Sequence, residues 1–293
     1  MAQVLPEKPE FVATYWTLAG DVAPLGPPAQ EASPHDFAER VEVAAGLGYR
    51  GVGLIHSDLQ RVRQRHGYRR MRDLLEAHGL SVELEFLVGW HAEGPELQAA
   101  EQTFADLLQA AAELGARHIK VGPDMQAREW PLEHMGLRFA GLCRRAAEHG
   151  TGVVLEPMPW SNVADLHTAR ALVEGAGEAN GGLLIDIWHM ARRGIPYAEI
   201  AALPAGIIHH VELDDADAEV RGTLLEDTLN HRRFCGRGVL DVPAFLRALA
   251  VQGYRGQYGI EIISAEQRKR PFRDVARDAI ETARGQFRSR DTL

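Results

Sequence analysis

Eight short apolar runs punctuate the chain, at Phe11–Tyr15, Gly51–Ile55, Ser81–Leu87, His118–Val121, Gly152–Leu155, Leu183–Ile185, Ile207–Val211 and Tyr258–Ile262. Each gives way to polar residues, and between them lie longer stretches whose apolar positions recur every three or four residues. That recurrence predicts amphipathic helices over Phe37–Leu47, Glu96–Leu114, Leu132–Glu148, Asp165–Val173, Ile195–Ala202, Val242–Val251 and Phe272–Phe287. Ser33-Pro34-His35-Asp36 reads as a helix cap with proline at the first helical position. Glycines precede seven of the eight runs, at Gly48, Gly79, Gly115, Gly150, Gly181, Gly206 and Gly253, and most suit the left-handed residue that ends a helix. Strands alternating with helices eight times, with no break in composition, predict an α/β fold: one closed (β/α)8 TIM barrel over residues 1–293, a single domain. An open doubly wound sheet is the competitor. No glycine-rich dinucleotide loop follows the first run, which weakens it.

Composition narrows the function classes. The chain has 293 residues, 45% of them hydrophobic, and a formal net charge of −9. The acidic balance argues against nucleic acid as a partner. No apolar run approaches the roughly 20 residues of a membrane span, and the first ten residues carry no apolar signal core. Two cysteines, Cys143 and Cys235, lie far apart without a CxxC pattern, so a reducing cytoplasm is expected. The one basic stretch, Arg61 to Arg72, reads as a solvated helix face or subunit contact in a possible homo-oligomer, or more sharply as an anchor for phosphate.

The chemistry concentrates at the ends of the last four runs. They supply Leu155-Glu156-Pro157, Asp186 with His189 three residues on, His209-His210-Val211-Glu212-Leu213-Asp214-Asp215, and Ile260-Glu261. In a parallel barrel the C-terminal ends of the strands form the functional mouth. Carboxylates converging there repel one another, and a divalent cation is the simplest relief. The competing arrangement has these acids fan outward to Arg192, Arg193 and Arg232. Trp16 and His56 close earlier runs. Trp16 could stack on a sugar face or fill core, and His56 is expected to face substrate. Glu85 and His91 also fall near strand ends.

The set Leu-Glu-Pro, Asp-x-x-His, His-x-Glu-Leu and Gly-Ile-Glu resembles the xylose-isomerase-like barrel superfamily, in its sugar phosphate isomerase/epimerase branch, across nearly the whole chain. The resemblance implies one divalent metal held by Glu156, Asp186, Glu212 and Glu261. It implies that His189 holds a substrate oxygen, and that Arg232, in an Arg-x-x-x-Gly-x-Gly loop, grips a hydroxyl, carboxylate or phosphate. The family usually has histidine where Glu212 stands. His210, on the same strand face, is the alternative ligand or a further substrate contact. An all-oxygen set favours Mn²⁺ or Mg²⁺ over Zn²⁺.

The expected activity is therefore a metal-dependent isomerase or epimerase acting on a keto-sugar, sugar phosphate or polyol, with Glu156 and Glu261 as the catalytic proton carriers through an enediolate. A dehydratase of the inosose or dehydroshikimate type shares the first proton abstraction and then expels a hydroxyl. An abasic-site endonuclease and a non-enzymatic sugar-binding barrel are the remaining alternatives.

Overall fold

The computed structural model describes residues 5–288. Eight parallel strands close into a barrel in sequence order: β1 (Phe11–Ala13), β2 (Gly51–Ile55), β3 (Ser81–Leu87), β4 (His118–Val121), β5 (Gly152–Leu155), β6 (Gly181–Asp186), β7 (Ile208–Leu213) and β8 (Tyr258–Ile260), with β8 pairing back onto β1. All eight expected runs are strands, and four keep the expected bounds. β1 is trimmed because the chain enters a short helix at Tyr15, and β8 because Glu261 turns into the mouth. The sixth and seventh run on to Asp186 and Leu213, since the ladder pairs Asp186 with Glu212. Helices pack outside. Most of the buried apolar side chains form one continuous cluster between them and the barrel.

Local rules place the helix ends. Gly48, Gly79, Gly115, Gly150 and Gly253 end helices with positive φ, as expected, while Gly206 has positive φ in the turn before β7, beyond the helix Tyr197–Ala201. Gly181 differs because it is the first residue of β6, and Gly177 (φ 69) ends the preceding helix instead. The first long helix, Phe37–Leu47, is capped by Asp36 accepting from the Ala38 amide, so Pro34 lies before the cap rather than inside the helix. The basic stretch forms part of a helix spanning His56–His78, interrupted at Gly67. Within it Arg65 pairs with Asp36 and Arg72 with Glu113, while Arg61 and Gln64 reach the rim of the mouth. Cys143 and Cys235 are both free and buried.

Candidate active site at the barrel mouth

A cleft of about 1050 Å³ opens at the C-terminal ends of the strands. Strand register builds its floor. Glu156 and Glu261 follow directly after β5 and β8, held by backbone bonds to Val121 and Leu213, while Glu212 sits level with Asp186 on one side and Gly259 on the other. Because side chains alternate along a strand, Glu212 and His210 share the inward face of β7, and Glu261 and Gly259 that of β8.

The acids turn inward, and Arg232 comes in to meet them. Its Nη1 lies 2.6 Å from Asp186 Oδ2 and 3.2 Å from Glu261 Oε2, and it also pairs with Asp214. Its Nε and Nη2 donate to Thr228 Oγ1. Arg192 instead takes Asp227, away from the cluster. Asp186 does two jobs: Oδ1 caps the helix Ile187–Arg193 through the His189 amide, and Oδ2 faces Arg232. The loop that carries Arg232 needs its last glycine, since a Cβ at Gly238 would overlap the Ala216 carbonyl and the Asp215 carboxylate that receives the Gly238 amide.

Lys120 is the second fixed cation, and the sequence reading missed it. It projects inward from β4, donates to Glu83 Oε1 at 2.8 Å, lies 3.4 Å from Glu85, and pairs with Glu212. The available signal was a lysine inside an otherwise apolar strand, which a buried barrel tolerates only with acidic partners. Glu85 also accepts from the Tyr15 amide, and both Glu85 and Lys120 line the cleft.

Of the residues expected at the site, Glu156, Glu261, His189, Arg232, His56 and Trp16 line the cleft, and Asp186 and Glu212 lie buried in its floor. His189 Nε2 is 3.0 Å from Glu156 Oε1, and its ring is walled edge-on by Trp160 and Trp188. His56 pairs with Asp106 at 2.9 Å. Two residues lie elsewhere. His210 points below the floor toward Glu83, because it is one inward step nearer the strand start than Glu212. His91 is buried against Asp124.

The donors fit a divalent cation. Asp186, Glu212 and Glu261 offer oxygens all within 4.8 Å of one another, and Glu156, Asp186 and His189 form an overlapping group. The four expected ligands thus meet as two triads sharing Asp186. Electrostatics point the same way. Glu83, Glu85, Glu156, Asp186, Glu212, Asp214 and Glu261 are all buried, and among the described residues Lys120 and Arg232 are the fixed cations paired with them. Burial, reinforced by Glu156 and Glu85, pushes Glu261 up to about 8. Burial and then Glu261 raise Glu212 well above the carboxylate range, and burial likewise raises Asp214. Asp186 is lowered instead: burial opposes its charge, but Arg232 and His189 together outweigh it. Carboxyl groups pushed together until they hold protons are what a cation displacing those protons would relieve.

Comparison with known proteins places these residues in context. Residues 41–285 match the xylose isomerase-like TIM barrel family. A 3-dehydroshikimate dehydratase of Pseudomonas aeruginosa is 32% identical over 253 residues, covering 83% of this chain and 38% of that protein. An inosose isomerase of Halalkalibacterium halodurans is 26% identical over 145 residues, 49% of each chain. The chain therefore spans about two-fifths of the length of the dehydratase it matches. Among solved structures, the IOLI protein with a bound zinc atom superposes with a TM-score of 0.83 at 18% identity, covering 95% of this chain and 98% of that one.

Proposed function

Because the chain belongs to the xylose isomerase-like TIM barrel family, we propose that it is a metal-dependent dehydratase acting on a cyclic keto-polyol acid of the 3-dehydroshikimate kind. The similarity to the Pseudomonas aeruginosa dehydratase carries this reading over the isomerase expected first from sequence. The inosose isomerase similarity keeps isomerisation of a related ketone as the second reading.

Glu156, Asp186, Glu212 and Glu261 would hold the cation, which when bound polarises the substrate carbonyl and acidifies the neighbouring C–H. Glu156, facing the cleft and oriented by His189, takes the α-proton. The Lys120 ammonium, from the adjacent strand β4, would stabilise the negative charge that develops on the substrate oxygen. Its acidic neighbours hold it protonated despite burial, Glu212 foremost. Expulsion of the β-hydroxyl as water then needs only the proton already on Glu156, so one carboxyl serves both halves of the elimination. The Trp160 indole N–H, buried and without a partner, is free to meet a substrate hydroxyl. Arg61 at the rim supplies a cation for the substrate carboxylate.

The discriminating experiment incubates the metal-loaded chain with 3-dehydroshikimate and with a panel of inososes and ketohexoses, and follows product mass. Loss of one water from 3-dehydroshikimate supports the proposal. Rearrangement at unchanged mass, with no loss of water from any substrate, replaces it with the isomerase.

A further inference from the structure

Below the floor of the cleft lies a second group of donors that the reaction does not use. Glu83 from β3, His118 from β4 and His210 from β7 all project into the barrel interior, and each is at least nine-tenths buried. Glu83 Oε2 is 3.1 Å from His210 Nε2 and 3.5 Å from His118 Nε2. All three donor atoms lie within 4.8 Å of one another. None of the three makes a well-aligned hydrogen bond; apart from the contacts between the imidazoles and the carboxylate they have no partner. Leaving even one buried polar atom unpaired is costly, and three facing a common point ask for a common partner.

We propose that Glu83, His118 and His210 bind a second divalent cation, a structural zinc-type ion separate from the cation at the mouth. The spacing suits it. Ligand atoms about 2.0–2.1 Å from a tetrahedral zinc lie roughly 3.3 Å apart, between the two separations seen here. Two imidazoles and one carboxylate form a donor set that selects Zn²⁺ over Mg²⁺ or Mn²⁺, the reverse of the oxygen-rich mouth. Space is left open beside it. A Cβ at Gly259 would come 2.9 Å from His210 Nε2, so the bare glycine keeps that nitrogen uncovered. The second carboxylate oxygen of Glu83 accepts from Lys120, which fixes its orientation and ties this ion to the floor of the cleft. Charge agrees as well: seven buried carboxyl groups against two fixed cations leave room for two divalent ions rather than one.

The test uses the full chain, stripped with chelator and reloaded with Zn²⁺ or Co²⁺ alone. Two equivalents should remain after exchange into metal-free buffer. Asp186→Asn combined with Glu261→Gln should retain one, and so should His118→Gln combined with His210→Gln. In the mouth variant the remaining ion should give the X-ray absorption signature of two imidazole ligands and raise the thermal midpoint by several degrees. Should the His118 and His210 variant fail to fold, the mouth variant alone decides. A retained ion with two imidazoles supports the site. An ion bound only through oxygen, or none at all, overturns it, as does a His118/His210 variant that folds and still holds two equivalents.

Discussion

Replacing Lys120 by methionine isolates the electrostatic logic of the barrel interior. The side chain is 2% exposed and touches Glu83, Glu85 and Glu212, so its ammonium balances a cluster largely shielded from water at the base of the cleft. Methionine keeps most of the volume, so packing changes little. Removing one member of a buried ion pair costs about 3–5 kcal/mol, because the partners keep their desolvation penalty. At roughly 1.5–2 °C per kcal/mol for a chain of this size, the thermal midpoint of the chelator-treated protein should fall by about 5–10 °C. The deficit has a definite pH dependence. Glu83 is buried, yet Lys120 and then His210 hold its carboxyl well below the usual range. Without the ammonium that carboxyl rises, so the variant is worst off above the unfolded carboxylate range near pH 4 and recovers as protons are supplied. Melting curves by circular dichroism from pH 8 down to pH 5 would show the gap narrowing, and Glu83→Gln added to Lys120→Met should restore several degrees. A single variant within 2 °C of the parent across that range would refute the reasoning.

Three further outcomes are expected. Glu156→Gln should leave the fold and melting behaviour nearly unchanged while lowering kcat by at least about a hundredfold, read by mass of product, since the α-proton then has no acceptor. Arg61→Ala should raise KM for a carboxylate-bearing substrate about tenfold with kcat little changed, and substrates lacking the carboxylate should be indifferent to it. Asp124 is buried and accepts from Trp130 Nε1 at 2.8 Å, from the Gln126 amide at 2.8 Å and from Arg128 Nε at 2.7 Å. Burial opposes its charge, yet these donors, Trp130 first, hold it at about 2. Its contribution of about 2 kcal/mol is complete above pH 4 and disappears as pH falls toward 2, so Asp124→Asn should be less stable at pH 7 and show a shallower acid melting profile.

Local chemistry was enough to read much of this molecule. The eight strands, most of the helices and five of the seven glycine helix ends follow from apolar periodicity and from the low cost of positive φ at glycine, both properties of short segments. Strand-end position also marked Glu156, Asp186, Glu212 and Glu261 as inward candidates, because a parallel strand buried on both faces exposes polar residues only where it ends. That same burial hid what lies within the strands. Glu83 and Glu85 alternate with Val82 and Leu84, and His118 and Lys120 with Ile119 and Val121, but alternation alone does not say whether the polar face meets solvent or the barrel interior, so the roles of these four were not legible, and His210 was expected at the substrate. Which acid meets which cation is fixed by closure of the barrel, which brings Lys120 to Glu212 across 92 positions and Arg232 to Asp186 across 46. Charge pairing of that kind depends on distance in space and on exclusion of water, and only the tertiary structure sets either one.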